Sequence, residues 1–381
     1  MNPPLRKFIF TLQKRFSEPS PLIQILMGPR QVGKTTGVLQ FLETYSQHYH
    51  YVSADALLTT NTSWILDQWQ QTLQKGSKAL LVIDEIQKVD HWSETIKKLW
   101  DAQQLKNTKI DVLLLGSSSL ALSQGASDSL AGRFELIPVY HWDYHESNAL
   151  HPMTLDTYLQ YGGYPKSYDY LDDTERWTNY VKGSVIDRVI DKDILRFATV
   201  KKPALFRQAF EILCNYPSQE ISFRKLLGQL QDQGNTDLIK YYMSLFEGAF
   251  LFKSLQKYSR QAFRIKSSSP KIVPLCPCFY QIFSHTEDKR SFVFESTVGA
   301  ALLQLSPQVY YWREGNAEVD FVLIWQKKMF AIEVKSGKKR PATGLQQFIA
   351  AFPEAIPIII SRDNYFAFTQ NPGLFLETLT A

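Results

Sequence analysis

The stretch Gly28-Pro29-Arg30-Gln31-Val32-Gly33-Lys34-Thr35-Thr36 has residue types and spacing that can hold a phosphate. Glycines let backbone N–H groups turn toward an anion. Lys34 is placed to reach the β- and γ-phosphates of a nucleotide, and the Thr35 hydroxyl to bind Mg²⁺. A glycine-rich turn without a ligand is the competing reading. A second group stands at the end of the apolar run Ala79–Ile83, where Asp84 and Glu85 follow directly. Acids at the C-terminal end of a buried parallel strand lie where open α/β sheets bind ligands. Asp84 can hold Mg²⁺ directly or through water, and Glu85 can act as the general base that polarises an attacking water. A strand ending in solvated acids is the alternative there.

A third group lies far downstream. Asp320 sits on one apolar run, and Glu333 and Lys335 on the next, with a short basic turn between them. Two carboxylates converging on one point bind Mg²⁺, and a lysine beside them polarises a scissile phosphate or helps generate hydroxide. Buried charges are costly unless paired or metal-bound, which is the physical reason to suspect a site. Two other readings compete: a Glu333–Lys335 surface pair, and a nuclease-like scaffold that no longer cuts. Two further candidates stand near the first groups. Ser117, with Ser118 and Ser119, follows an apolar strand and can sense a γ-phosphate or simply form a turn. Arg133, ahead of the run Phe134–Val139, can neutralise transition-state charge in its own subunit or a neighbour's, or be a plain surface arginine.

The elements that must position these groups are readable from periodicity. Apolar runs predict strands near 22–28, 49–53, 79–84, 110–116 and 134–139, with helical patterns between them. That alternation predicts a parallel sheet wrapped by helices. From there to residue 250 the pattern is helical. A helix over 222–230, a polar turn, a second helix over 236–247 capped by Asn235 or Thr236, and a strand-like run reproduce the layout of a winged helix. The second helix is weakly basic, because Asp237 offsets Lys240, so a packing or oligomer role competes with DNA reading. In the last third, an amphipathic helix bearing Glu295 precedes a hairpin that carries Asp320 on one strand and Glu333 and Lys335 on the other. Glu333 and Lys335 are two apart and share a face.

A chain of 381 residues is too long for one ordinary core and implies two or three domains. No apolar run approaches a membrane span, and the basic N-terminus lacks a secretory apolar core, so a cytoplasmic protein without a membrane partner is expected. Three cysteines, Cys214, Cys276 and Cys278, form no zinc pattern and are read as reduced thiols. The net charge of +5 is uneven: residues 253–271 carry six Lys or Arg and no acid, and residues 327–340 carry six and one acid. Such blocks can follow a phosphate backbone or be solvated loops.

The motifs GPRQVGKTT, LLVIDEIQKV, LLLGSSS, SLAGR, YGGYP, YWREGNAEVDFVL and IEVKSG occur in that order. In this combination the chain resembles a family of prokaryotic AAA-type P-loop ATPases with a C-terminal region of unknown function. The resemblance covers nearly the whole sequence. It implies an α/β P-loop sheet domain over residues 1–150, a helical and winged-helix segment over 151–260, and a restriction-endonuclease-like domain of the PD-(D/E)xK type over 261–381. It further implies nucleotide contacts from Gly28 through Thr36, Mg²⁺ coupling and hydrolysis at Asp84 and Glu85, a sensor at Ser117 and an arginine finger at Arg133. Glu295, Asp320, Glu333 and Lys335 would form the nuclease-like set, with the three acids as metal ligands. ATP and Mg²⁺ are thus the expected cofactors, and DNA and a second copy of the chain are candidate partners. One departure stands out: relatives commonly place an aspartate after the strand at 270–275, where this chain has Leu275-Cys276. Two functions remain in competition. In one, ATP hydrolysis drives a nucleic-acid-binding, DNA-cleaving domain. In the other, ATP operates a binding switch whose nuclease-like fold does not cut. A small-molecule kinase is a distant third, since no acceptor site or lid is evident.

Overall fold

The computed structural model describes the chain apart from residues 1–3, 20, 57–60, 105, 107–108, 118–129, 196–197, 231–234, 261–267, 285–288, 338–342 and 380–381. The chain forms two compact units. One comprises Met1–Tyr140 and Asp187–Thr199; the other comprises His141–Ile186 and Val200–Ala381.

The first unit is built on a five-stranded sheet of β1 (Ile23–Gly28), β2 (Tyr49–Ser53), β3 (Leu80–Asp84), β4 (Asp111–Ser117) and β5 (Phe134–Pro138). Its order is β2-β3-β4-β1-β5, and every neighbouring pair is parallel. All six residues of β1 and all five of β3 are buried, so these strands read as continuous apolar runs rather than as alternation. The α/β parallel architecture and its five strands agree with the sequence reading to within a residue or two. Helices Lys34–Thr44, Ser63–Gln74 and Trp92–Gln104 supply the crossovers. The segment Asp187–Thr199 returns to this unit after a long excursion. Part of it, Val189–Ile194, is a wide-turn π-helix, a form that is rare and often found at functional sites.

The second unit holds two sheets. In the smaller, β6 (Gln219–Glu220), β8 (Lys271–Pro274) and β7 (Phe252–Leu255) are antiparallel in the order β6-β8-β7. Helices Pro203–Cys214, Phe223–Gln229 and Thr236–Gly248 belong to the same region. The Asn235 side chain accepts from Leu238 N–H at 3.0 Å and caps the last of these, as expected. Its apolar face stacks Phe246 on Phe206 at 4.4 Å between ring centroids.

In the larger sheet, β9 (Val309–Glu314), β10 (Ala317–Trp325) and β11 (Lys328–Lys335) form an antiparallel meander, and β12 (Ala355–Ser361) adds in parallel to β11. The expected hairpin is therefore present, with Phe321 opposite Ile332. The β9–β10 register slips between Val319 and Val322, a bulge at the position of Asp320. Trp312, Val319, Val322 and Ala331 of the sheet pack in one cluster with Phe348 of the helix Thr343–Ala351. Among the described residues the three cysteines are buried and free, and no helix is long and apolar enough to cross a membrane.

Candidate functional site

The first site stands where parallel strands end together. Strand β1 ends at Gly28, paired with Ser117 at the end of β4, and β3 ends at Asp84. The two glycines of the cradle serve different ends. Gly33 has φ +82°, a left-handed turn that launches the helix Lys34–Thr44. Gly28 instead answers a close approach: a Cβ there would lie 1.9 Å from the Val139 carbonyl oxygen.

Lys34 is 9% exposed and donates to the Gly28 and Pro29 carbonyls at 2.9 and 2.6 Å. Burial pulls its ammonium down to about 8, against Glu85 and Asp84, which pull it up. The Thr35 hydroxyl donates to Asp84 Oδ2 at 2.6 Å, and the Tyr51 hydroxyl donates to the same oxygen at 3.1 Å. Burial, then Asp84, raises the Tyr51 hydroxyl above its ordinary value, so it stays a donor. The hydroxyl and carboxylate expected to share Mg²⁺ are therefore already side by side. A hard cation takes such oxygen donors, and the pair fits the ion.

Glu85 has φ +55°, a strained backbone for a residue with a side chain. Burial raises its carboxyl above the ordinary value, and Arg30 opposes that. The Gln87 amide donates to Glu85 Oε2 at 2.6 Å and lies 3.4 Å from Ser117 Oγ. Gln87 thus ties the expected base to the expected sensor. The sequence reading assigned it nothing, although it stands two residues past Glu85. Arg30 is also fixed. Its Nε and Nη2 donate to the Asp193 carboxylate at 2.7–2.9 Å, and that carboxylate is fully buried. Asp193 belongs to the returning π-helical segment and carries no local motif. Ser118 and Ser119 lie outside the described residues.

Arg133 requires a correction. It precedes β5, and its carbonyl accepts from Ile23 N–H at the start of β1. The cradle is at the other end of β1, about 15–20 Å away along a six-residue strand. Arg133 pairs with Asp101 at 2.6 and 3.0 Å instead. Parallel-sheet logic alone locates it: a residue before a strand sits at the edge opposite the C-terminal ends. A charge-neutralising role toward its own subunit's cradle does not fit this position.

The second candidate site is in the second unit. Lys335 Nζ donates to Glu333 Oε1 at 2.6 Å, as two residues sharing a face allow. One oxygen of Asp320 accepts from Val334 N–H at 2.7 Å. Glu295 lies on the helix Arg290–Leu305, and its Oε1 is 2.5 Å from Lys271 Nζ. The contact is an ion pair without hydrogen-bond angles; the directed donation of the ammonium is to the Asp320 carbonyl at 3.1 Å. Burial and then Asp320 push the Glu295 carboxyl up to about 8, with Lys271 opposing. Lys271 itself loses to burial but is carried above its ordinary value by Glu295, Asp320 and Glu318. Among the described residues, no three His, Cys, Asp or Glu side chains come together as a metal-holding group. The expected ligand set of Glu295, Asp320 and Glu333 is engaged by lysines and a backbone amide, and does not fit Mg²⁺ in this arrangement.

Three family models match separate parts of the chain. Residues 20–148 match an AAA domain, 153–275 a Domain of unknown function (DUF8612), and 290–370 another (DUF4143). An uncharacterized protein of Methanocaldococcus jannaschii, MJ1544, is 22% identical over 333 residues, covering 80% of this chain and 73% of that protein. The uncharacterized protein Rv2008c of Mycobacterium tuberculosis is 24% identical over 327 residues, covering 82% and 70% respectively. Among solved structures, a Walker-type ATPase of Pyrococcus abyssi overlays with a TM-score of 0.48 at 12% identity, covering 74% of this chain and 98% of that one. The Thermotoga maritima RuvB Holliday junction branch migration motor overlays with a TM-score of 0.33 at 16% identity, covering 65% and 87%. The chain is thus similar, over residues 20–148, to AAA-domain proteins, and the match supports binding and hydrolysis of ATP in its first unit.

Proposed function

We propose that this chain hydrolyses ATP in its first unit and that the bound nucleotide switches the binding behaviour of its second unit. The observation that carries the first half is the Thr35–Asp84 hydrogen bond at 2.6 Å, set beside a buried Lys34. Thr35 and Asp84 would hold Mg²⁺, which neutralises charge on the β- and γ-phosphates when bound with ATP. Backbone N–H groups of Gly28 and of Arg30 through Thr36 would face the phosphates. Lys34 exchanges its two carbonyl partners for phosphate oxygens. Glu85 accepts a proton from the attacking water, held in place by Gln87, and Ser117 at the end of the neighbouring strand orients the γ-phosphate. Arg133 contributes only across an interface between copies, after leaving Asp101. Phosphate release by the purified chain tests the reading: Lys34→Ala abolishes it, and unchanged turnover in that variant rejects the site.

We read residues 151–260, apart from the stretch Asp187–Thr199 that belongs to the first unit, as a helical and winged-helix segment, and 261–381 as a nuclease-like domain. The three helices with a three-stranded sheet, and the mixed four-stranded sheet, support this. Two observations favour a non-cleaving binding module: the lysine pairing of its carboxylates and the exposed Asp237–Lys240 pair, 2.9 Å apart, on the would-be reading helix. The competing reading, Mg²⁺-dependent cleavage of DNA, rests on Asp320 and Glu333 lying on neighbouring strands with Lys335 at hand. Plasmid DNA with Mg²⁺ or Mn²⁺, with and without ATP, separates the two. Cleavage lost in Asp320→Ala supports a nuclease, and intact plasmid under every condition supports the switch.

A further inference from the structure

Lys271 opens β8, at the end of a block whose charges allowed either a phosphate-following surface or solvated loops. Among the described residues of that block, three of its basic side chains are paired within the fold. Lys253 pairs with Glu247 at 2.8 Å and Arg260 with Glu354 at 2.8 Å, while Lys271 is 1% exposed. Its ammonium is 2.5 Å from Glu295 and 3.6 Å from Glu318 and donates to the Asp320 carbonyl; it also lies 5.0 Å from the centroid of the Phe321 ring. Three sequence-distant elements, the helix Arg290–Leu305, β10 and β8, therefore meet at one positive charge. An ionised carboxylate in such surroundings would cost several kcal/mol unless it took up a proton, and the ammonium offsets that cost. Arg313, on β9, reaches the rim but not the centre. It is 3.9 Å from Glu318 and spends its hydrogen bond on Glu220 at 2.9 Å.

We propose that Lys271 is a built-in cation that takes the place of a metal ion in this carboxylate cluster, so that the second unit holds its acids together without a divalent ion. The ammonium does for the fold what a metal would do, but it offers no open coordination position and no bound water to activate. The inference rests on the contacts of the ammonium with the Glu295 and Glu318 carboxylates and the Asp320 backbone carbonyl, and is independent of the ATP reading.

The test is Mn²⁺ uptake by the nucleotide-free full chain, read from the free-ion electron paramagnetic resonance signal, together with urea unfolding. Asp320→Asn is expected to leave wild-type uptake unchanged. Lys271→Ala is expected to gain an additional Mn²⁺ that is lost again in Lys271→Ala/Asp320→Asn. Lys271→Met is expected to lower the urea midpoint, and Lys271→Met/Glu295→Gln to restore most of that loss, because the two charges leave together. Loss of Mn²⁺ from the wild type on Asp320→Asn overturns the proposal. So does a folded Lys271→Ala with no gain, or a double variant no more stable than Lys271→Met. Should Lys271→Ala fail to fold, the Asp320→Asn and double-variant arms decide alone.

Discussion

The lysine of the nucleotide cradle makes a quantitative test of the first site, with pH as the perturbation. In the empty protein Lys34 is buried and its ammonium is drawn down to about 8, from an ordinary 10.5. Between those values the unfolded chain binds a proton that the folded chain does not. The stability contribution of this group is therefore fully present above pH 10.5 and lost as pH falls through 8, where the charge must be buried. A bound nucleotide reverses the balance, because phosphate oxygens bring negative charge to the ammonium and lift its pKa back. At pH 8 the empty site is about half protonated and the occupied site almost wholly so; binding then takes up about half a proton, and close to none at pH 6. Titration calorimetry of ADP with Mg²⁺, repeated at pH 8 in buffers of different ionisation enthalpy, reads that number as the slope of observed against buffer enthalpy. A slope of zero, or proton release, refutes the assigned burial of Lys34 and its role against phosphate.

Three further outcomes are expected. Gln87→Ala frees the Glu85 carboxylate and should lower kcat by about tenfold while leaving the nucleotide Kd unchanged, as steady-state turnover and calorimetry will show. Asp193→Ala strips Arg30 of three hydrogen bonds; with the guanidinium side chain 32% exposed, a loss of about 2–3 kcal/mol is expected in urea unfolding, and an unchanged midpoint disproves the latch. Gly344→Ala drives a Cβ to 2.0 Å from the Glu318 carbonyl oxygen and should destabilise the second unit by about 1–3 kcal/mol, visible as an earlier thermal transition.

The first unit was legible because its central strands β1, β3 and β4 are buried almost throughout and so appear as unbroken apolar runs, and because Asp84 and Glu85 stand at the end of β3 while Lys34 and Thr35 open the helix that follows the loop after β1. Local chemistry is enough for such positions. Asp193 was not legible: its partner Arg30 is 163 residues away, and nothing in its own π-helical turn marks it. The burial of Lys271 was not legible either, for a related reason. Charge counted along the chain says nothing about which lysine a fold turns inward, and this one is met by the carboxylates of residues 295 and 318 and by the backbone carbonyl of residue 320. In the hairpin, pairing and face were readable from the period of two, so Glu333 and Lys335 were matched correctly. The bulge at Asp320 was not, because a single extra residue leaves an alternating pattern almost intact.

The return of Asp187–Thr199 to the first unit has a consequence for synthesis. A ribosome that has finished β5 has supplied every strand of the nucleotide sheet, yet Asp193 is still more than fifty codons downstream. At about 5–20 residues per second, roughly 3–11 s pass between the completion of β5 and the synthesis of the Arg30 counter-charge. During that interval Arg30 lacks the carboxylate that holds it in the finished fold, and a gene split near codon 150 would yield a first half without Asp193.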